Sequence, residues 1–78
     1  MVLDTIITLV AEHFQMDEEE LSEDTLFAEI GADDMDIADL VMAVEDEFDM
    51  DITIDEANAL RTIGDLTDLA ERAVHTEE

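Results

Sequence analysis

Ile37, Leu40, Val41, Val44 and Phe48 recur at the three- and four-residue spacing that puts side chains on one face of an α-helix. No strand can use that spacing, because side chains alternate faces along a strand. The stripe predicts a helix over residues 34–49, with Asp36, Asp39, Glu45 and Asp46 mainly off it. Asp33 and Asp34 stand at its start, where a carboxylate can cap free backbone N–H groups and meet the positive end of the helix dipole.

The same spacing governs the rest of the chain. Leu3, Ile6, Ile7, Val10 and Phe14 predict a first helix over 2–14, with Asp4 and Thr5 in its opening turn. A polar stretch follows, 15–25, with Met16 and Leu21 as isolated apolar anchors. Residues 26–30 form a short apolar patch ending at Gly31, which supplies a turn geometry other residues resist. Ile52-Thr53-Ile54 alternates like a strand but has no partner in sight, so we read it as an extended connector whose isoleucines plug the core. A short helix is predicted over 55–60, capped by Thr53 or Asp55. Thr62-Ile63-Gly64-Asp65 reads as a turn into a last helix over 65–74, with Leu66, Leu69, Ala70 and Ala73 or Val74 facing inward. The tail, His75 to Glu78, is expected to fray. The pattern thus predicts an all-α bundle of three main helices and one short helix, forming a single domain over 1–78.

Charge decides which partners such a bundle can have. The chain carries 25 acidic residues against two arginines, Arg61 and Arg72, and a formal net charge of -23. That field repels nucleic-acid phosphates and anionic lipid, and attracts basic patches and divalent cations. It also opposes compaction, so salt or Mg2+ should stabilise the fold. High charge with few aromatics is a disorder signature, but the 47% of hydrophobic residues are periodic, which disorder does not require. The lack of lysine also suits a high-salt source. No apolar run approaches the ~20 residues of a membrane span, and Met1-Val2-Leu3-Asp4 lacks a basic leader region. A soluble cytoplasmic protein is the expectation.

Other chemistries fail on their residues. No cysteine is present, which excludes disulfides, thiolate metal sites and a cysteine nucleophile. Asp49, Asp51, Thr53 and Asp55 suggest a calcium loop, but Ile54 stands where that loop needs glycine and Leu60 where it needs glutamate. His13 and His75 have no second nitrogen ligand at metal spacing, so no metal site is expected. Paired carboxylates can do acid–base work, but here acids are everywhere and single out no pair, so no enzyme activity is expected.

One stretch carries more than a fold. Residues 31–48, Gly-Ala-Asp-Asp-Met-Asp-Ile-Ala-Asp-Leu-Val-Met-Ala-Val-Glu-Asp-Glu-Phe, resemble the signature of acyl carrier proteins, which typically read Gly-Ala-Asp-Ser-Leu-Asp before an acidic helix ending in Glu-Glu-Phe. Asp17-Glu18-Glu19-Glu20-Leu21 before Leu26-Phe27 resembles that family's first loop, and Thr62-Ile63-Gly64-Asp65-Leu66 its entry into the last helix. The resemblance implies a carrier of fatty acid, polyketide or related acyl metabolism, not an enzyme. Family members hold an acyl chain as a thioester on a 4'-phosphopantetheine arm attached to the serine, and shelter that chain between their helices. It further implies a monomer docking on basic patches of synthases and transferases through Asp33, Asp36, Asp39, Glu45 and Asp46, with Met35 and Met42 as apolar contacts or packed against the loop. Electrostatic steering gives such a shuttle fast, transient binding.

Asp34 stands where the resemblance requires the serine. Attachment needs a hydroxyl to attack the pyrophosphate of coenzyme A; a carboxylate is a poor nucleophile, and its acyl phosphate would hydrolyse. The chain's one serine, Ser22, lies in the first loop in a setting that suits a turn or cap. Three readings of Asp34 stand together: a family member that lost its arm and works by binding, an engineered change that freezes the unmodified form, or drift tolerated because aspartate caps helices well. No phosphopantetheine is therefore expected on this chain. The alternative function is an arm-less acidic adaptor or regulator docking on basic surfaces of partner enzymes.

Overall fold

The computed structural model describes residues 2–75, with side chains through residue 73. Four α-helices follow one another: α1 (Val2–Phe14), α2 (Asp34–Phe48), α3 (Ile54–Asn58) and α4 (Ile63–His75). The long connection between α1 and α2 contains two short 3₁₀ turns, Glu18–Glu20 and Phe27–Ile30. No strand is present among the described residues; the one extended pairing is an isolated antiparallel bridge between Leu26 and Thr62. The all-α bundle expected from the periodicity is the observed architecture.

The apolar stripes meet as predicted. Ile6 and Val10 of α1, Leu40 and Val44 of α2, and Ile63, Leu66 and Ala70 of α4 are buried together with Ala11, Leu21 and Phe27. Leu3, Ile7, Phe14, Ile37 and Phe48 pack around them half-buried. Burial of these side chains supplies the driving force, since exposed carboxylates on the other faces do not pair with one another. The buried Thr67 hydroxyl donates to the Ile63 carbonyl at 3.0 Å, so it leaves no unmet polar group in the core.

The ends of α1 and α2 share a device. Gln15 and Asp49 each take the left-handed conformation, at φ 57° and φ 54°. The next residue in each case is a half-buried methionine, whose N–H reaches back a full turn: Met16 to the Ala11 carbonyl at 2.9 Å, Met50 to the Glu45 carbonyl at 3.1 Å. This is the Schellman closure, completed by an apolar anchor. Asp49 therefore lies outside α2, one residue short of the predicted end.

The connection after α1 is stitched to the start of α4. Phe27 N–H donates to the Arg61 carbonyl (2.9 Å), Ile63 N–H to Thr25 (3.0 Å) and Gly64 N–H to Glu23 (2.8 Å). A methyl group on Gly64 would sit 2.9 Å from the Glu23 carbonyl oxygen, so this close approach is what the glycine permits. Gly31 has the role expected of it, at φ 78° after the second 3₁₀ turn.

Three local expectations need correction. The last helix begins at Ile63, not Asp65, because the Thr62 hydroxyl accepts from Asp65 N–H (3.1 Å) while the Asp65 carboxylate accepts from Thr62 N–H (3.1 Å). That reciprocal cap puts Asp65 at the third helical position and takes up the supposed turn. The short helix spans Ile54–Asn58, capped by Thr53 in the same reciprocal manner with Glu56. Ile54 consequently opens that helix on the outside, 79% exposed, and does not plug the core; half-buried Ile52 does that work. Of the expected tail, His75 still belongs to α4, the Val74 side chain lies outside the described ones, and 76–78 lie outside the described residues.

Candidate functional site

The start of α2 is built by a reciprocal cap. The Asp33 carboxylate accepts from Asp36 N–H at 2.9 Å, and the Asp36 carboxylate accepts from Asp33 N–H at 3.1 Å. Gly31 turns the chain into this position, and the Ala32 N–H donates to the Phe27 carbonyl (3.0 Å), which ties the entry to the preceding 3₁₀ turn. The first turn of α2 is thus fixed on the loop side before the helix begins.

Asp34 is the first residue of α2 and is exposed. The capping expected of Asp33 and Asp34 jointly falls to Asp33 alone. Asp34 makes no side-chain hydrogen bond among the described residues, because a side chain at the first helical position points away from the free N–H groups that the preceding residue reaches. Its carboxylate borders two surface hollows. One, of about 330 Å3, is lined also by Leu26, Phe27, Ala28, Ala32, Asp33, Ile37, Leu60 and Arg61. The other, of about 280 Å3, is lined by Ile37, Ala38, Ala57, Asn58 and Leu60. Asp34, Ile37 and Leu60 are common to both, so Asp34 stands at the lip of a cleft between α2 and α3 with Ile37 and Leu60 in its wall.

The other singled-out residues of α2 divide. Met35 and Met42 are 75% and 62% exposed, so both turn most of their surface outward. Asp39 and Asp46 are exposed with no partner among the described residues. Glu45 is half-buried, and its carboxylate accepts from the Ile52 N–H at 2.8 Å, holding the connector to α3. Asp36 is half-buried and triply engaged, in the cap and with His13 Nε2 at 3.0 Å. The hydrogen bond from His13, with the Asp33 N–H second, holds the Asp36 carboxyl below its ordinary value.

His13 is the participant that sequence reasoning missed. It lies in the last turn of α1, 23 residues from Asp36, and only the packing of α1 on α2 brings the two together. The signal available in the sequence was its place in the last turn of a helix, where a cation suits the dipole. Ser22 sits where its setting suggested: its hydroxyl accepts from Asp24 N–H at 3.3 Å and lies 3.5 Å from the Thr25 hydroxyl. No group of three or more metal-ligating side chains converges among the described residues. No helix there is long and apolar enough to cross a membrane.

Known proteins with the same sequence pattern and fold can be named. The family described as "Phosphopantetheine attachment site" matches residues 4–70. The acyl carrier protein of Sulfurovum sp. is 40% identical over 65 residues, covering 82% of this chain and 87% of the relative. That of Clostridium perfringens is 32% identical over 78 residues, covering 99% and 100%. The crystal structure of the acyl carrier protein from Thermotoga maritima superposes with a TM-score of 0.83 at 31% identity, over 96% of this chain and 88% of that one. Sequence and fold agree over nearly the whole length, and the chain belongs to the acyl carrier protein family, a family of carriers rather than enzymes.

Proposed function

We propose that this protein is an acyl carrier protein homologue of fatty acid, polyketide or related acyl metabolism that does not take a phosphopantetheine arm. The observation that carries the reading is Asp34: a carboxylate, not a hydroxyl, opens α2 at the lip of the cleft. A carboxylate attacks the coenzyme A pyrophosphate poorly, and its mixed anhydride hydrolyses. Ser22 offers no replacement, since its hydroxyl belongs to a loop turn and lies in a different part of the chain. What remains for the protein is binding. Exposed Met35 and Met42 alternate with Asp39 and Asp46 along α2, a surface suited to basic patches on synthases and transferases. Asp33, Asp36 and Glu45 add negative charge to that surface while holding the backbone. In this reading the protein is a cytoplasmic monomer with no nucleic-acid or membrane partner.

The same surface serves the alternative, an arm-less adaptor or regulator that carries no acyl chain. Incubation with coenzyme A and a broad-specificity phosphopantetheinyl transferase tests the arm, read by intact mass. The wild-type mass stays unchanged, and Asp34→Ser gains one arm. A gain by the wild type would overturn the reading of Asp34. Failure of Asp34→Ser to gain mass would favour the adaptor, because the recognition surface as well as the nucleophile would have gone.

A further inference from the structure

We propose, on the reading that Asp34 takes no arm, that this protein is a dead-end competitor for the enzyme that moves phosphopantetheine from coenzyme A onto carrier proteins. It occupies the carrier site of that enzyme and offers no hydroxyl. Residue 34 takes no part in building the surface around it. The cap that starts α2 closes between Asp33 and Asp36, at 2.9 and 3.1 Å, and the Asp34 side chain makes no hydrogen bond among the described residues. The helix start is therefore indifferent to whether aspartate or serine stands there. Aspartate takes away the nucleophile and leaves the presented backbone in place. The match to the family described by arm attachment runs over residues 4–70, which includes this helix start and all of α2.

Met35, Asp39, Met42 and Asp46 follow one another at i, i+4, i+7 and i+11, which puts them on one face of α2, opposite buried Leu40, Val41 and Val44. All four are exposed, and the stripe runs for about 16 Å from the turn that holds Asp34. Carboxylates alternating with adaptable thioethers fit a partner surface that is basic with apolar hollows. The net charge of -23 adds long-range attraction towards such a surface. These contacts lie away from the reacting atom, so their binding energy survives its loss. Which partner is favoured follows from the missing arm. Enzymes that act on the thioester bind the arm as well as the carrier, and this chain lacks that share of the contact. The arm-attaching enzyme takes the bare carrier, so only the hydroxyl is wanting. A serine-bearing carrier leaves that enzyme after its oxygen has bonded to the arm's phosphorus. No such bond forms at Asp34, and the bound chain leaves only by dissociating.

Steady-state transfer from coenzyme A to a serine-bearing acyl carrier protein, by a broad-specificity phosphopantetheinyl transferase, tests this with both protein masses followed. The wild-type chain is expected to raise the apparent KM for the carrier and leave kcat unchanged. With carrier well below its KM, the chain should halve the rate at a concentration within about tenfold of that KM. Asp39→Lys combined with Asp46→Lys should weaken the inhibition about tenfold or more. Asp68→Lys combined with Glu71→Lys, at two exposed acids of α4, changes the net charge equally and should alter it by less than about twofold. Both pairs reduce the self-repulsion of the chain, so neither threatens the fold. Equal weakening by the two pairs would overturn the inference, since any polyanion would then do. A fall in kcat at unchanged KM would overturn it as well. A rate indifferent to the chain, with the mass of the chain unchanged, overturns it and leaves the reading of Asp34 standing. A gain of one arm by the chain overturns both.

Discussion

Asp33 and Asp34 are chemically identical neighbours with different work. Asp33 satisfies a free N–H of α2, and Asp34 satisfies none among the described residues. Asp33→Ala should therefore cost about 0.5–2 kcal/mol of stability, the usual loss on removing a cap. Asp34→Ala should stay within about 0.5 kcal/mol of the wild type, as surface changes away from such features do. Urea unfolding of the two variants separates them; equal losses would place the cap on both residues. The sequence showed that this corner holds a capping aspartate but not which one, because the answer depends on where the helix begins. The same uncertainty displaced the start of α4, where Thr62 and Asp65 share a reciprocal cap that reads in sequence as a turn. His13 was illegible for a different reason: its bond to Asp36 spans two helices, and no local pattern encodes it.

At the scale of elements, the four helices and their inward faces were readable because apolar spacing is fixed by the helix itself. Their stops were less so. Gly31 announces its turn, but Gln15 and Asp49 adopt left-handed backbone without glycine, held there by the closures through Met16 and Met50. Such a conformation costs a residue with a Cβ about 1–2 kcal/mol. Gln15→Gly should consequently raise stability, by about 0.5–1 kcal/mol after the added flexibility of the unfolded chain is counted. Thermal unfolding checks this, with an unchanged far-UV circular dichroism spectrum as evidence that α1 still stops at the same place. Ile54 shows the opposite limit. Its sequence alternation suggested a core contact, but the Thr53–Glu56 cap begins α3 one residue earlier and turns the side chain outward.

Across the whole molecule, like-charge repulsion is what folding has to overcome. A net charge of -23 on a 78-residue chain is met, among the described residues, by a single imidazole–carboxylate contact, His13 to Asp36, so cohesion rests on the apolar core. Raising NaCl from about 10 mM to about 300 mM shortens the screening length severalfold. The melting temperature should rise by about 5–15 °C, equivalent to roughly 1–2 kcal/mol for a domain of this size. A melting temperature indifferent to salt would show the repulsion to be already relieved. This property was legible from composition alone, since no arrangement of 25 acids and two arginines can neutralise itself. The stitching of the first connection to α4 was not, because it joins segments separated by all of α2 and α3. It divides that connection by its tolerance of length. Residues 17–20 are exposed and lie before the stitched segment, so an insertion there disturbs one short 3₁₀ turn and the Thr8–Glu18 hydrogen bond and lengthens the loop, the lengthening itself costing about 0.6 kcal/mol per doubling. From Glu23 onward the backbone is in register with Arg61, Ile63 and Gly64. A single added residue would put that pairing out of phase, and relatives that differ in length have room to do so before the stitch, not within it.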